Sequence, residues 1–227
     1  VPRGPAAAAR RPGDALGDAQ GACGRGACDE GAFCPEGSSV SIPCPGGTFS
    51  SATNLASADE CTACSTGSYS LAGQLACQLC SPGSFVNATG ASVCALCEAG
   101  DFLSVAGGTV CLACPDGSYC EAGSAAPLPC PAGKRKHPTA VMRSESDCVT
   151  CEAGHFCPTG AANQTACSPG AFAAGNESGS CDPCAAGEYQ PAFGATACAT
   201  CPAGSHCALG ASSATPCAGG TWSGTEG

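Results

Sequence analysis

Cys61-Thr-Ala-Cys64-Ser-Thr-Gly67-Ser-Tyr69-Ser70, closed by Cys77-Gln-Leu-Cys80-Ser-Pro-Gly83-Ser-Phe85, is the stretch that decides the fold. One word occurs in it twice: a cysteine, a glycine three positions on, and an aromatic two positions after that. The same word opens at Cys28, Cys44, Cys64, Cys80, Cys97, Cys114, Cys151, Cys167, Cys184 and Cys217. Two further units, at Cys130 and Cys201, keep Gly133 and Gly204 but put Arg135 and His206 in the aromatic slot. The twelve starts lie 16, 20, 16, 17, 17, 16, 21, 16, 17, 17 and 16 residues apart. Such a period outranks any helix or strand assignment made piecemeal. Ten of the eleven aromatic side chains share its register, and only Phe193 falls outside.

Each complete unit holds one further cysteine, in one of two places. In seven units it lies three residues before the next start, giving Cys-x-x-Cys junctions at 61/64, 77/80, 94/97, 111/114, 148/151, 181/184 and 198/201. In the other four it follows the aromatic slot directly, at Cys34, Cys120, Cys157 and Cys207. The recurring glycine marks a turn that needs positive φ or close backbone approach. The aromatic beside Ser or Thr suits a short strand, and a second small-residue turn comes mid-unit, as at Ala72-Gly73-Gln74. No window sustains a 3.6-residue apolar period. The expectation is a small disulfide-rich fold: an elongated tandem array of short irregular β-hairpin units with little helix and no single hydrophobic core. In each unit the aromatic is expected to lie as a lid over the cystines.

Composition agrees. Of 227 residues, 24 are cysteine, about 10.6%, past the ~8–10% that marks a disulfide scaffold. Ile, Leu, Val and Phe together number 26, about 11%, well under the ~20% that an ordinary core requires. Cross-links must therefore offset chain entropy, at typically ~2–4 kcal/mol each. The net charge of −10 argues against nucleic acid and anionic membrane surfaces as partners. No stretch approaches the ~18 apolar residues of a membrane span. The sequence starts at Val1 without a charged-then-apolar leader, so any such leader is expected to have been removed or to lie outside this sequence.

Paired Cys-x-x-Cys motifs are also a zinc-ribbon signature. Here they share one register with units that lack the second pair, and His137, His155 and His206 show no common spacing to them. Disulfides are therefore expected at the 22 cysteines from Cys28 to Cys207, in an oxidising compartment, with no metal and no cofactor. Spacing leaves two connectivities open. A sequential scheme closes each unit on itself, as in Cys44–Cys61, Cys64–Cys77 and Cys80–Cys94, and leaves Cys23 and Cys217 over. A crossed scheme joins neighbouring pairs, as in Cys61–Cys77 with Cys64–Cys80, or Cys148–Cys157 with Cys151–Cys167. Three N-glycosylation sequons begin at Asn87, Asn163 and Asn176.

The recurring Cys-Pro-x-Gly-x-(Tyr/Phe) word with Cys-x-x-Cys junctions resembles the ephrin-receptor-like cysteine-rich repeat. In pattern it is similar to EGF-like and TNF-receptor-type modules. That resemblance covers about 200 residues from Cys23 on, and implies receptor ectodomains, matrix proteins or long surface proteins, without calcium. The Ala-, Gly- and Pro-heavy composition looks like a GC-rich genome's version of the repeat, which makes the flagellar-hair (mastigoneme) glycoproteins of green algae one home for it.

No residues assemble into a catalytic set: His155 and His206 fall in unit turns, and the carboxylates are scattered. The chain is read as no enzyme. One departure stands out, Lys134-Arg135-Lys136-His137 in the longest unit, where half of the eight basic residues fall between Lys134 and Arg143. Lys134, Arg135 and Lys136 form a candidate partner- or polyanion-binding loop, with Lys134-Arg135 a candidate processing site, or else a solvated loop of a longer hairpin. Residues 1–22 read as a flexible linker or the end of an upstream region. Residues 23–227 read as about twelve tandem repeats, the last truncated, each buried only against its neighbours. At ~3.3 Å per extended residue folded into about three legs, eleven units predict a rod of order 150–200 Å. The expected function is an extracellular structural spacer, stalk or filament segment with protein partners or self-association. A ligand-binding receptor ectodomain is the other reading.

Overall fold

The computed structural model describes residues 27–219 and Gly224; the expected linker 1–22 and Cys23 lie outside the described residues. Eleven two-stranded sheets follow one another along the chain. Ala32–Phe33 pairs antiparallel with Ile42–Pro43, Thr48–Phe49 with Thr62–Ala63, and the series ends with Ser205–His206 against Thr215–Pro216. Every first strand carries the aromatic slot and every second strand ends at the residue before the next start cysteine. Two residues per strand are all that a 16-residue period leaves once its two turns are made.

Among the described residues the helical elements are two 3₁₀ turns, Ala58–Glu60 and Glu145–Asp147. They lie in the two longest units, which start at Cys44 and Cys130. The additional residues are wound into a turn ahead of the second cysteine, so strand length and register stay unchanged.

Sulfur pairing is sequential. The bonds are Cys28–Cys34, Cys44–Cys61, Cys64–Cys77, Cys80–Cys94, Cys97–Cys111 and Cys114–Cys120, then Cys130–Cys148, Cys151–Cys157, Cys167–Cys181, Cys184–Cys198 and Cys201–Cys207. Cα separations of 5.7–6.2 Å sit inside the range that a cystine spans. Cys217 is half-buried and unpaired. Fifteen of the twenty buried apolar residues are half-cystines; the others are Ala32, Leu103, Met142, Ala161 and Ala173. The core is thus divided into cystines, one per repeat. The expected aromatic lid is met at Tyr119, which packs on Cys130, Cys148 and Met142.

The described residues belong to two compact units. Of these residues one unit comprises 27–65, Tyr69–Gln78 and Thr89–Val93, and the other Thr66–Ser68, Leu79–Ala88 and 94–219. The same hydrogen-bond ladder runs inside each. In the first, Gly47 N–H donates to Ser70 O (2.7 Å), Cys64 N–H to Gly47 O (2.9 Å) and Gly90 N–H to Cys64 O (2.8 Å). In the second, Gly154 N–H donates to Ala173 O (2.9 Å), Cys167 N–H to Gly154 O (2.9 Å) and Gly194 N–H to Cys167 O (2.8 Å).

Packing reaches further than the nearest-neighbour burial that the period alone implies. The opening glycine of one repeat lies against the mid-unit turn of the next but one: Gly47 against Gly90, and Gly154 against Gly194. A 16-residue unit presents too little backbone to satisfy its own turns, so each turn finds partners in two successors. Gly47 has φ +90°, and a methyl group there would overlap the Gly90 carbonyl. In two repeats a residue other than glycine takes the positive φ of the mid-unit turn, Asn54 (φ 65°) and Glu177 (φ 68°). Asparagine tolerates this region; glutamate pays for it with about 1 kcal/mol or more.

Candidate functional site

The basic segment is no open loop. Lys134–Arg135 is a first strand paired with Val149–Thr150, and Arg135 also bridges to Ala161 of the following repeat. Lys134 Nζ lies 3.8 Å from Glu145 and 3.8 Å from Glu177. Lys136 Nζ pairs with Asp116. These carboxylates come from the same repeat, the next but one and the preceding one, so the two lysines tie two neighbouring repeats to their own. The lysine side chains are about 30% exposed and their partners more than half exposed, which limits each pair to ~0–1 kcal/mol. Arg135 Nη1 donates to Lys136 O (3.3 Å), while its buried Nε has no hydrogen-bond partner.

Beyond the strand the chain folds down over Met142. His137 N–H donates to Met142 Sδ (3.4 Å), and His137 Nδ1 accepts the N–H groups of Thr139 (3.2 Å) and Ala140 (3.0 Å). Met142 O accepts Cys120 N–H (3.1 Å). This is the mid-unit turn of the Cys130 repeat, built from side-chain caps where most repeats use glycine.

Asp147 closes it. Its Oδ2 accepts the backbone N–H of Arg143 (2.8 Å) and of Ser144 (2.9 Å), and the Ser144 hydroxyl (3.2 Å). The Arg143 amide first and the Ser144 amide next hold its carboxyl below the usual carboxylate range, against a small opposing effect of desolvation. A carboxylate favoured in the fold contributes stability above its unfolded value near ~4, and that contribution is lost as pH falls through its lower folded value. Hydrogen-exchange protection of the Arg143 and Ser144 amides is therefore expected to fall as the pH drops below about 4. An Asp147→Asn chain should lack that pH dependence; the same titration in both chains would refute the assignment.

The other predicted positions stay apart. Asn87, Asn163 and Asn176 are all exposed. Asn176 Oδ1 accepts Ala153 N–H (2.9 Å) from the preceding repeat. His155 is half-buried with Nδ1 3.3 Å from Ala153 O, and His206 is exposed. An open crevice of about 400 Å³ on the first repeat is lined by Asp29, Glu36 and Ser38–Ser41 among others. Among the described residues no three His, Cys, Asp or Glu side chains converge as metal ligands would, and no helix is long and apolar enough to cross a membrane. Sequence reasoning missed the partners of the lysines. The carboxylates come from three repeats, and only the stacking geometry brings them together.

No curated protein matches the chain significantly. Residues 170–217, from the Gly170 turn to Cys217, match the family model for the tyrosine-protein kinase ephrin type A/B receptor-like domain. The match covers three hairpins with the cystines Cys184–Cys198 and Cys201–Cys207. Residues 170–217 are thus similar to a cysteine-rich, receptor-like repeat.

Proposed function

We propose that the array is a non-catalytic extracellular spacer, a disulfide-stapled stalk or filament segment exposed by way of the secretory pathway. The observation that carries this reading is the open-ended ladder. Each repeat closes its own cystine and passes its turn hydrogen bonds to the next two, so repeats add without a change of design. Eleven cystines call for an oxidising compartment, and exposed Asn87, Asn163 and Asn176 suit glycan attachment in variable turns. A flagellar-hair filament is one form such a segment takes. Mass spectrometry of the native, unreduced protein tests the reading. It is expected to return the eleven sequential cystines and N-glycans on the sequons; free thiols throughout would overturn it.

A second reading, a receptor ectodomain that binds a protein ligand, is favoured by the match of residues 170–217 to the ephrin-receptor-like family. In that case the Cys130 repeat, which departs most from the pattern, is the place for a ligand, with Arg135, unlike Lys134 and Lys136, in no ion pair among the described contacts.

A further inference from the structure

The Cys130 repeat closes its mid-unit turn on a histidine. From His137 to Met142 no residue takes a positive φ. The turn is held instead by one imidazole nitrogen, His137 Nδ1, which accepts the N–H groups of Ala140 (3.0 Å) and Thr139 (3.2 Å). Two donors on one ring nitrogen require that nitrogen to be bare, with the ring hydrogen on Nε2. What the turn carries gives the nitrogen leverage. Val141 lies against the Gly100 turn of the Cys97 repeat. Met142 is buried with Cys130 and Cys148, packs on Tyr119 of the Cys114 repeat, and accepts Cys120 N–H at its carbonyl (3.1 Å). Residues 137–142 thus join their own repeat to the two before it.

Charged groups surround this turn without reaching the ring. Lys136 and Arg143 bracket it, and Lys136 is paired with Asp116 of the Cys114 repeat. In its own repeat Glu145 faces Lys134, and Asp147 is taken up by the Arg143 and Ser144 amides. In the Cys97 repeat Glu98 and Asp101 flank Gly100, and in the Cys114 repeat Glu121 follows Cys120. Lys136 N–H donates to Ala161 O of the Cys151 repeat, whose Glu152 and His155 are engaged by Gln164 and the Ala153 carbonyl. Among the described contacts no carboxylate reaches His137, so an imidazolium finds no acceptor in the closed turn.

We infer that the His137 turn is a latch that acid opens. A proton taken from solvent onto Nδ1 turns the acceptor into a donor and sets it against the two N–H groups it had capped. Residues 139–142 are then released, and the joint of three repeats loosens with them. Histidine is the side chain whose ordinary titration lies in the mildly acid range. The Asp147 carboxylate gives way only below about pH 4, so the two events are separate. The inference goes beyond the spacer reading, for it gives the array one joint that answers to the acidity of its surroundings.

Native-state hydrogen exchange of the disulfide-intact chain, followed by NMR, tests the latch. Protection factors at the Ala140 and Cys120 amides are expected to fall at least about five-fold between about pH 7.5 and about pH 5, where imidazoles ordinarily titrate. The Cys184 amide, which donates to Gly170 O far from any latch contact, should keep its protection. His137→Asn retains a side-chain acceptor that does not titrate, and should abolish the fall. Ring nitrogen shifts of the unsubstituted chain supply a check that needs no variant: a bare Nδ1 at neutral pH, titrating in step with the loss of amide protection. A hydrogen on Nδ1 at neutral pH, a ring that titrates while both amides stay protected, or the same fall in the Asn variant overturns the latch. None of these results touches the spacer reading, which stands or falls on the cystine map.

Discussion

Gly47→Ala is expected to cost about 3–5 kcal/mol of local stability, whereas Gly90→Ala, on the other side of the same contact, costs about 1 kcal/mol. Both residues have positive φ, +90° and +72°, so both substitutions pay the left-handed strain of an L-residue. They differ in what the new methyl meets. At Gly47 it overlaps the Gly90 carbonyl, a backbone atom held in place by the Gly90 N–H to Cys64 O bond. At Gly90 it points into open space. The measurement is native-state hydrogen exchange at the Gly47, Cys64 and Gly90 amides with disulfides intact, because an array of small repeats opens locally. Loss of protection at all three in the first variant and near-normal protection in the second is the expected result. Equal effects would show that strain, and not close approach, explains the recurring glycine.

That contrast also marks how far the sequence could be read. The register of Cys, Gly and aromatic specifies the hairpins, because the three residue types act within one unit: a turn, a strand, a cross-link. It does not specify what the glycine packs against. Nothing in the word at Cys44 points to Gly90, two starts away, since contact across repeats depends on how the backbone is stacked. The same limit governs the basic segment. Lys134, Arg135 and Lys136 are conspicuous in an acidic chain, but Glu177 and Asp116 become partners of the two lysines only once two further repeats are laid beside their own. Disulfide pairing stood between these cases. Spacing allowed two schemes, and the hairpins select the sequential one because they bring each start cysteine within 5.7–6.2 Å of the second cysteine of its own unit.

The largest effect is expected from reduction. Treatment with excess dithiothreitol at neutral pH, without denaturant, should unfold the described array completely, seen as loss of near-ultraviolet circular dichroism and of amide protection. The reason lies in what is buried. Half-cystines make up three quarters of the buried apolar residues, and Leu103 and Met142 are the large aliphatic side chains that join them. Loops of 6 to 18 residues closed by a cystine restrict the unfolded chain by about 2–3 kcal/mol each. Four or five such losses already match the ~5–15 kcal/mol by which a folded domain is ordinarily stable, and eleven are removed together. The hairpins cannot compensate, for two residues per strand form no independent sheet. Adding stoichiometric zinc to the reduced chain separates the cystine account from a thiolate one. A zinc-ribbon protein would refold as its thiolates converge on metal, with the spectrum restored. Among the described residues the paired cysteines sit one on one as cystines, and no three His, Cys, Asp or Glu side chains converge as a metal site needs, so zinc is expected to leave the reduced chain unfolded while reoxidation in a glutathione buffer restores it. Recovery on zinc alone would mean that the register positions thiolates, and the core of the repeat would have to be reassigned from sulfur–sulfur bonds to metal.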